Sequence, residues 1–116
     1  MTQEKRKFED WLDYARKAKR VALLAHISPD GDTLGSTLAL RLAFLAMGKQ
    51  VDVICDGDVP DNLKFLTGSE SILHPENVNG SDYDTAIAVD VSDRSLLGKS
   101  ETVFDAAGIR MLPAGV

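Results

Sequence analysis

The sequence has one cysteine and no excess of basic residues, and these two shortages exclude several classes of protein. With Cys55 alone, no internal disulfide can form, and nothing favours an oxidising compartment. The 13 Lys and Arg residues are outnumbered by 18 Asp and Glu residues, which gives a net charge of −5. That charge argues against a protein whose affinity comes from neutralising many phosphates of a long nucleic acid.

Long hydrophobic runs, repeats and linker-like tracts are missing as well. No apolar run reaches the length of a membrane span, and residues 1–20 lack the apolar stretch of a secretory signal. We therefore expect no membrane partner and take the cytoplasm as the location. No G-x-G-x-x-G motif follows the first apolar run, which disfavours a dinucleotide-binding domain. At 116 residues, with 44% hydrophobic and 27% charged residues, the chain is expected to form one folding domain.

The chain does contain an alternation of short apolar runs and helical patterns. Apolar residues at helical spacing predict an amphipathic helix from Phe8 to Ala18, and a Leu- and Ala-rich segment with one charge, Arg41, predicts a heavily buried helix over 33–47. Further elements are predicted as strands at 21–25, 49–55, 85–91 and 109–112, a short helix after Pro60 and a helix at 100–107. This alternation predicts a doubly wound, mostly parallel α/β sheet with helices on both faces.

Acidic residues and a histidine follow two of the predicted strands. His26, Asp30 and Asp32 come after the first strand, and Asp90 ends the third. In such sheets ligands bind beyond the carboxyl ends of the strands, so these side chains are expected to border one crevice. Three facing carboxylates raise each other's pKa unless a cation neutralises them, and imidazole with carboxylates suits Mn²⁺ or Mg²⁺. The sequence thus predicts a metal site formed by His26, Asp30, Asp32 and Asp90.

Each part of this pattern also has a purely structural interpretation. A Pro-Asp-Gly-Asp turn is more often a turn with a helix cap, and a single histidine at a strand end is more often a hydrogen-bonded neutral residue. Asp90 is more informative, because a carboxylate in an apolar strand needs a partner. We expect Gly31 to adopt a positive φ so that Asp30 and Asp32 turn inward, and we expect His74 to be a surface residue.

At these residues the chain resembles the DHH phosphoesterase superfamily, in particular its branch of oligoribonucleases and pAp phosphatases. The segments Val21–His26 and Asp30–Ser36 resemble the first motif of that superfamily, and Ala88–Asp93 resembles its second motif. The resemblance extends over almost all of 21–112. Between the motifs it rests on Gly48-Lys49, Val59-Pro60, Phe65-Leu66 and Asp82-Tyr83-Asp84.

The resemblance implies a two-metal phosphoesterase. It implies that His26 and Asp30 bind one Mn²⁺, that Asp32 binds a second, and that Asp90 bridges them, with Asp30, Asp32 and Asp90 serving catalysis. The substrate would be a short oligonucleotide or a nucleotide such as pAp, and Mg²⁺ is an alternative ion. Homo-oligomers are compatible with this interpretation.

The sequence departs from the family after the fourth predicted strand. Residues 109–112 are followed by Pro113–Val116 where the family has its Asp-His-His motif, and a later aspartate ligand and the C-terminal substrate-binding domain are missing too. We therefore expect residues 1–116 to be a partial N-terminal domain with weak or no activity alone. In the family an arginine usually stands beside a leucine and a glycine. Here the segment after Asp93 runs Arg94-Ser95-Leu96-Leu97-Gly98, which leaves open whether Arg94 contacts phosphate.

Two other functions stay open at this point. Asp30-Gly31-Asp32-Thr33 also fits a haloacid-dehalogenase-type phosphatase, in which Asp30 would be the nucleophile, although residues 26–29 intervene after the strand. The chain is alternatively a non-catalytic metal- or nucleotide-binding remnant.

Overall fold

The structure, a computed structural model, describes residues 13–89, 91 and 93–111. Its centre is a four-stranded parallel sheet in the order β2-β1-β3-β4. The strands are β1 (Arg20–Leu24), β2 (Gln50–Ile54), β3 (Thr85–Ala88) and β4 (Ile109–Met111), and the helices are α1 (Gly31–Ala46) and α2 (Glu101–Ala106). The predicted doubly wound α/β fold is confirmed.

Strands β1 and β3 are buried on both faces because their successive side chains point into two separate cores. In β1, Val21 and Leu23 enter a core that includes α1, whereas Ala22 and Leu24 enter a core that includes α2. All four are fully buried. A strand covered on both faces must be apolar throughout, which is why β1 appears as a continuous apolar run in the sequence.

Helix α1 begins two residues before the predicted start and is less buried than predicted. Leu34, Leu38 and Phe44 pack against the sheet, but Leu42 and Met47 are 49% and 54% exposed. The prediction of a heavily buried helix was therefore wrong, because the sheet covers one face only and no other described element covers the opposite one. The helix ends as predicted before Gly48, whose φ of 81° is the left-handed conformation of a helix C′ residue.

Among the other predicted elements, the third strand, the helix after Pro60 and the helix at 100–107 are present but shorter. Strand β3 ends at Ala88 instead of 91, and the short helix after Pro60 is a single 3₁₀ turn, Asp61–Leu63. Residues 8–12 of the predicted first helix, and Leu112 of the fourth strand, lie outside the described residues; residues 13–17 are helical. Further 3₁₀ turns are Ser69–Ser71, Pro75–Asn77, Gly80–Asp82 and Arg94–Ser100. Within the described ranges, no helix is long and apolar enough to cross a membrane.

Candidate functional site

The strand order reverses between β1 and β3, so a ligand-binding crevice is expected at the carboxyl ends of these two strands. From β1 the chain crosses to β2 on one side, and it later returns to place β3 on the other side of β1. The connections after β1 and β3 therefore leave in opposite directions, which is the point where α/β sheets bind ligands. His26 follows β1 at this point. Asp90, the predicted partner after β3, lies outside the described residues.

The loop from β1 to α1 is fixed by contacts to its neighbours. The Ala25 N–H donates to the Ile54 carbonyl (3.0 Å), and the Ile27 N–H donates to the Leu96 carbonyl (2.9 Å). The Cys55 thiol lies 3.4 Å from the carbonyl oxygen of His26, and Pro29 is buried. The loop is thus attached to the segments that follow β2 and β3, and its conformation is set by the sheet.

His26 is half-buried, and its ring has a defined hydrogen-bond partner. The Ser28 N–H donates to Nδ1 of His26 (2.9 Å). Because Nδ1 accepts this bond, the neutral ring carries its proton on Nε2. A metal ion bound at Nε2 would require the other tautomer and the loss of the bond to Ser28. In the arrangement observed, Nε2 is therefore a hydrogen-bond donor.

Asp30 is the N-cap residue of α1. Its Oδ1 accepts a hydrogen bond from the Thr33 N–H (2.8 Å), and its backbone is extended, as an N-cap requires. The Thr33 N–H is the main cause that lowers the pKa of Asp30; the Thr33 hydroxyl and the Asp32 N–H act in the same direction. Asp30 is therefore an ionised carboxylate at the positive end of α1.

Gly31 and Asp32 form the first turn of α1. Asp32 is exposed, and Gly31 is the first helical residue, so the expected positive φ at Gly31 was wrong. Once Asp30 caps the helix, the next residue must already be helical. A Cβ added at Gly31 would lie 3.5 Å from Cδ2 of Leu63, which is an ordinary contact.

The chemistry of the donor set fits a divalent metal, since imidazole and carboxylates are ligands of Mn²⁺. Across residues 13–89, 91 and 93–111, no three or more His, Cys, Asp or Glu side chains are grouped to hold an ion. Asp90 does not belong to these ranges. The metal site of His26, Asp30, Asp32 and Asp90 therefore stays a prediction.

The segments packed against the site loop were missed by the sequence analysis. Asp56, after β2, accepts a hydrogen bond from the Lys99 N–H (2.7 Å). A Cβ at Gly57 would lie 2.2 Å from the carbonyl oxygen of Ile27, and a Cβ at Gly98, whose φ is 60°, would lie 2.8 Å from Ile27 Cδ1. The sequence signal that could have identified these contacts is a glycine that follows an apolar run, because glycine allows two backbones to approach closely.

Arg94 and His74 are both held by acidic neighbours. The Arg94 guanidinium donates to Glu101 (2.8 Å) and to Asp105, and it lies 5.2 Å from the ring centre of Phe104. These contacts attach it to α2, which gives no support to a phosphate role. His74, predicted at the surface, has a 43% exposed side chain and lies 3.6 Å from Asp58.

Comparison with known proteins supports the fold. No protein-family model matches the chain. The chain is similar to the crystal structure of an exopolyphosphatase-related protein from Bacteroides fragilis, with a TM-score of 0.83 and 24% sequence identity. The similarity covers 96% of this chain and 35% of that one, so this chain spans about a third of its structural neighbour.

Proposed function

We propose that this chain is the N-terminal domain of a metal-dependent phosphoesterase of the DHH type, acting on short oligonucleotides or on nucleotides such as pAp. The observation that carries the proposal is the position of His26–Asp32, which follows β1 where the strand order reverses. The likeness in fold to a protein described as exopolyphosphatase-related supports a phosphate-hydrolysing role.

In this proposal His26, Asp30, Asp32 and Asp90 hold Mn²⁺, with Mg²⁺ as the alternative. The metal, when bound, supplies a Lewis acid that polarises phosphoryl oxygens and activates water. The chain's own contribution is a fixed set of charges. Asp30 stays ionised through the Thr33 N–H, and the site loop is held by backbone hydrogen bonds to Ile54 and Leu96.

Mn²⁺ titration of the 116-residue chain by calorimetry tests the proposal. We expect wild type to bind Mn²⁺ and His26→Ala to lose at least tenfold in affinity, as is typical when a metal ligand or its support is removed. The matched control is His74→Ala, which removes the second of the two histidines. If wild type does not bind Mn²⁺, or if the two variants bind it alike, the proposal is wrong.

The haloacid-dehalogenase alternative is less compatible with the structure. Asp30 is separated from the end of β1 by residues 25–29, and its carboxylate caps α1 instead of extending the strand. An aspartyl-phosphate mimic formed on Asp30 with beryllofluoride would favour that alternative. Mn²⁺ binding without hydrolysis of a short oligonucleotide, even in a longer chain that includes residues 1–116, would favour the non-catalytic remnant.

A further inference from the structure

The peptide bond between His26 and Ile27 is held on both sides by neighbouring loops. Its N–H donates to the carbonyl of Leu96, in the segment after β3 (2.9 Å), and its carbonyl oxygen accepts from the thiol of Cys55, in the segment after β2 (3.4 Å). Because a peptide group is planar, fixing both of its polar atoms fixes the backbone from which the His26 side chain leaves. The direction of that imidazole therefore depends on how the two segments are held.

One carboxylate joins these two segments to each other. Asp56 follows Cys55 directly, and its Oδ2 accepts a hydrogen bond from the N–H of Lys99, three residues after Leu96 (2.7 Å). A hydrogen bond to a charged acceptor is about twice as strong as one between neutral groups. In the part of the chain that the structure describes, the Asp56 side chain has no other hydrogen-bond or ion-pair partner. Joining the two segments is thus the contact for which this carboxylate is available.

Gly98 shows why the segment after β3 needs such a contact. Its φ of 60° and ψ of −134° belong to a region that glycine adopts readily and other residues rarely do. Glycine loses more backbone freedom on folding than any other residue, so order at this position has to come from contacts with other segments. A Cβ at Gly98 would lie 2.5 Å from Asp56 Oδ2 and 2.8 Å from Ile27 Cδ1. Gly98 therefore lies directly between the carboxylate and the loop that carries His26.

We propose that Asp56 is a positioning residue for His26. By holding the segment after β3 against Ile27, Asp56 sets the direction of the imidazole, and its importance for Mn²⁺ binding rests on the proposed function. Asp56 acts through a hydrogen bond to the Lys99 N–H. An acceptor oxygen at this position should therefore be sufficient, and the negative charge should not be needed.

Calorimetric titration of the 116-residue chain with Mn²⁺ separates the hydrogen bond from the charge. We expect Asp56→Ala to bind Mn²⁺ about tenfold more weakly than wild type or worse, as is typical when the support of a metal ligand is removed. Asp56→Asn keeps an oxygen that can accept from the Lys99 N–H, so it should bind Mn²⁺ nearly as tightly as wild type does.

The matched control is Asp84→Ala. Asp84 also accepts backbone hydrogen bonds from a distant segment, from the N–H groups of Lys19 and Arg20 (2.9 Å each), but it precedes β3 and so lies at the opposite end of the sheet. Asp84→Ala should lower the Tm without changing the affinity for Mn²⁺. This control shows whether a general loss of stability is enough to weaken metal binding.

A second measurement needs no metal. His26 and His74 are the only histidines of the chain, so nitrogen-15 NMR of the neutral imidazoles can follow each ring, with His74→Ala to assign the signals. In wild type the Ser28 N–H donates to Nδ1 of His26, and this ring should therefore show one tautomer, with its proton on Nε2. In Asp56→Ala we expect a mixture of tautomers at His26 and unchanged signals from His74.

The inference and the proposed function can fail separately. If Asp56→Ala leaves the His26 signals or the Mn²⁺ affinity unchanged, or if Asp84→Ala weakens Mn²⁺ binding as much, Asp56 is not a positioning residue. If Asp56→Asn binds as weakly as Asp56→Ala, the charge is the cause and the inference is wrong. If wild type binds no Mn²⁺, the proposed function fails, and the metal-free spectrum alone decides whether Asp56 positions His26. If Asp56→Ala does not fold, Asp56→Glu, which keeps the charge on a side chain one methylene longer, takes its place with the same expected results.

Discussion

Asp30 has one observed role, the cap of α1, and one predicted role, a metal ligand, which sequence reasoning treats as alternatives. It caps α1 through the Thr33 N–H, and it is an ionised carboxylate beside His26. Capping fixes the direction of one carboxylate oxygen, which places a negative charge at the helix start before any metal binds. A cap and a ligand are therefore compatible at this residue.

The lowered pKa of Asp30 predicts a pH-dependent contribution to stability. Its folded pKa lies below the ordinary value of 3.8, so its contribution is fully present above about pH 4 and is lost as the pH falls through the folded pKa. In Asp30→Asn the amide oxygen can still accept from Thr33, but the charge is gone. We expect the difference in Tm between wild type and Asp30→Asn to be largest near neutral pH and to shrink below about pH 4. If the difference in Tm between wild type and Asp30→Asn does not vary with pH, the lowered pKa of Asp30 is not its cause.

The surroundings of two glycines predict that alanine is disruptive at Gly57 and tolerated at Gly31. A Cβ at Gly57 would meet the Ile27 carbonyl oxygen at 2.2 Å, whereas at Gly31 the nearest atom is 3.5 Å away. We expect Gly57→Ala to lower the free energy of unfolding by about 1–3 kcal/mol, because backbone must move. Gly31→Ala should stay within about 0.5 kcal/mol of wild type. Urea denaturation measures both, and equal effects would show that the loops do not approach this closely.

Among the elements, α1 has two unlike faces despite its almost uniform Leu and Ala composition. Leu38 is 4% exposed and Leu42 is 49% exposed, although they lie one turn apart. We expect Leu38→Ala to cost about 2–5 kcal/mol of unfolding free energy, as for other buried leucines. Leu42→Ala should change it by about 0.5 kcal/mol or less.

The two variants control for each other, since both replace Leu by Ala within one helix and change helix propensity by the same amount. Chemical denaturation of both is the measurement. If both variants lose a similar amount of unfolding free energy, Leu42 is covered in solution, for instance by a second copy of the chain.

The elements also show what the sequence could predict. A continuous apolar run bounded by charges identified β1 to within a residue, because burial on both faces requires such a run, and alternating apolar residues identified β2 equally closely. The outer face of α1 could not be predicted, because leucine and alanine fit a covered or an uncovered helix equally well. The 3₁₀ turns between β2 and β3 lack any periodic pattern, so they appeared only as a loop-rich stretch.

At the scale of the whole molecule, one sheet connects two cores and one candidate site. Strands β1 and β3 supply side chains to both cores, and both end at the crevice. The meeting of the two strand ends follows from the predicted topology, so the place of the site was predictable. The bond from Ser28 to His26 was not, because it depends on how the loop turns after β1. The grouping of Asp90 with His26, Asp30 and Asp32 stays a prediction.

The strand order also has a consequence for how the chain is made. Strand β1 lies in the middle of the sheet but comes before its neighbours in the sequence, and its partners are Gln50–Ile54 and Thr85–Ala88. During synthesis from the N-terminus, β1 can pair with β2 early, but its other edge has no strand to pair with until residue 88 has left the ribosome. Until then an apolar edge with unpaired backbone groups is open to other chains. The crevice beside His26 acquires its second wall at the same moment.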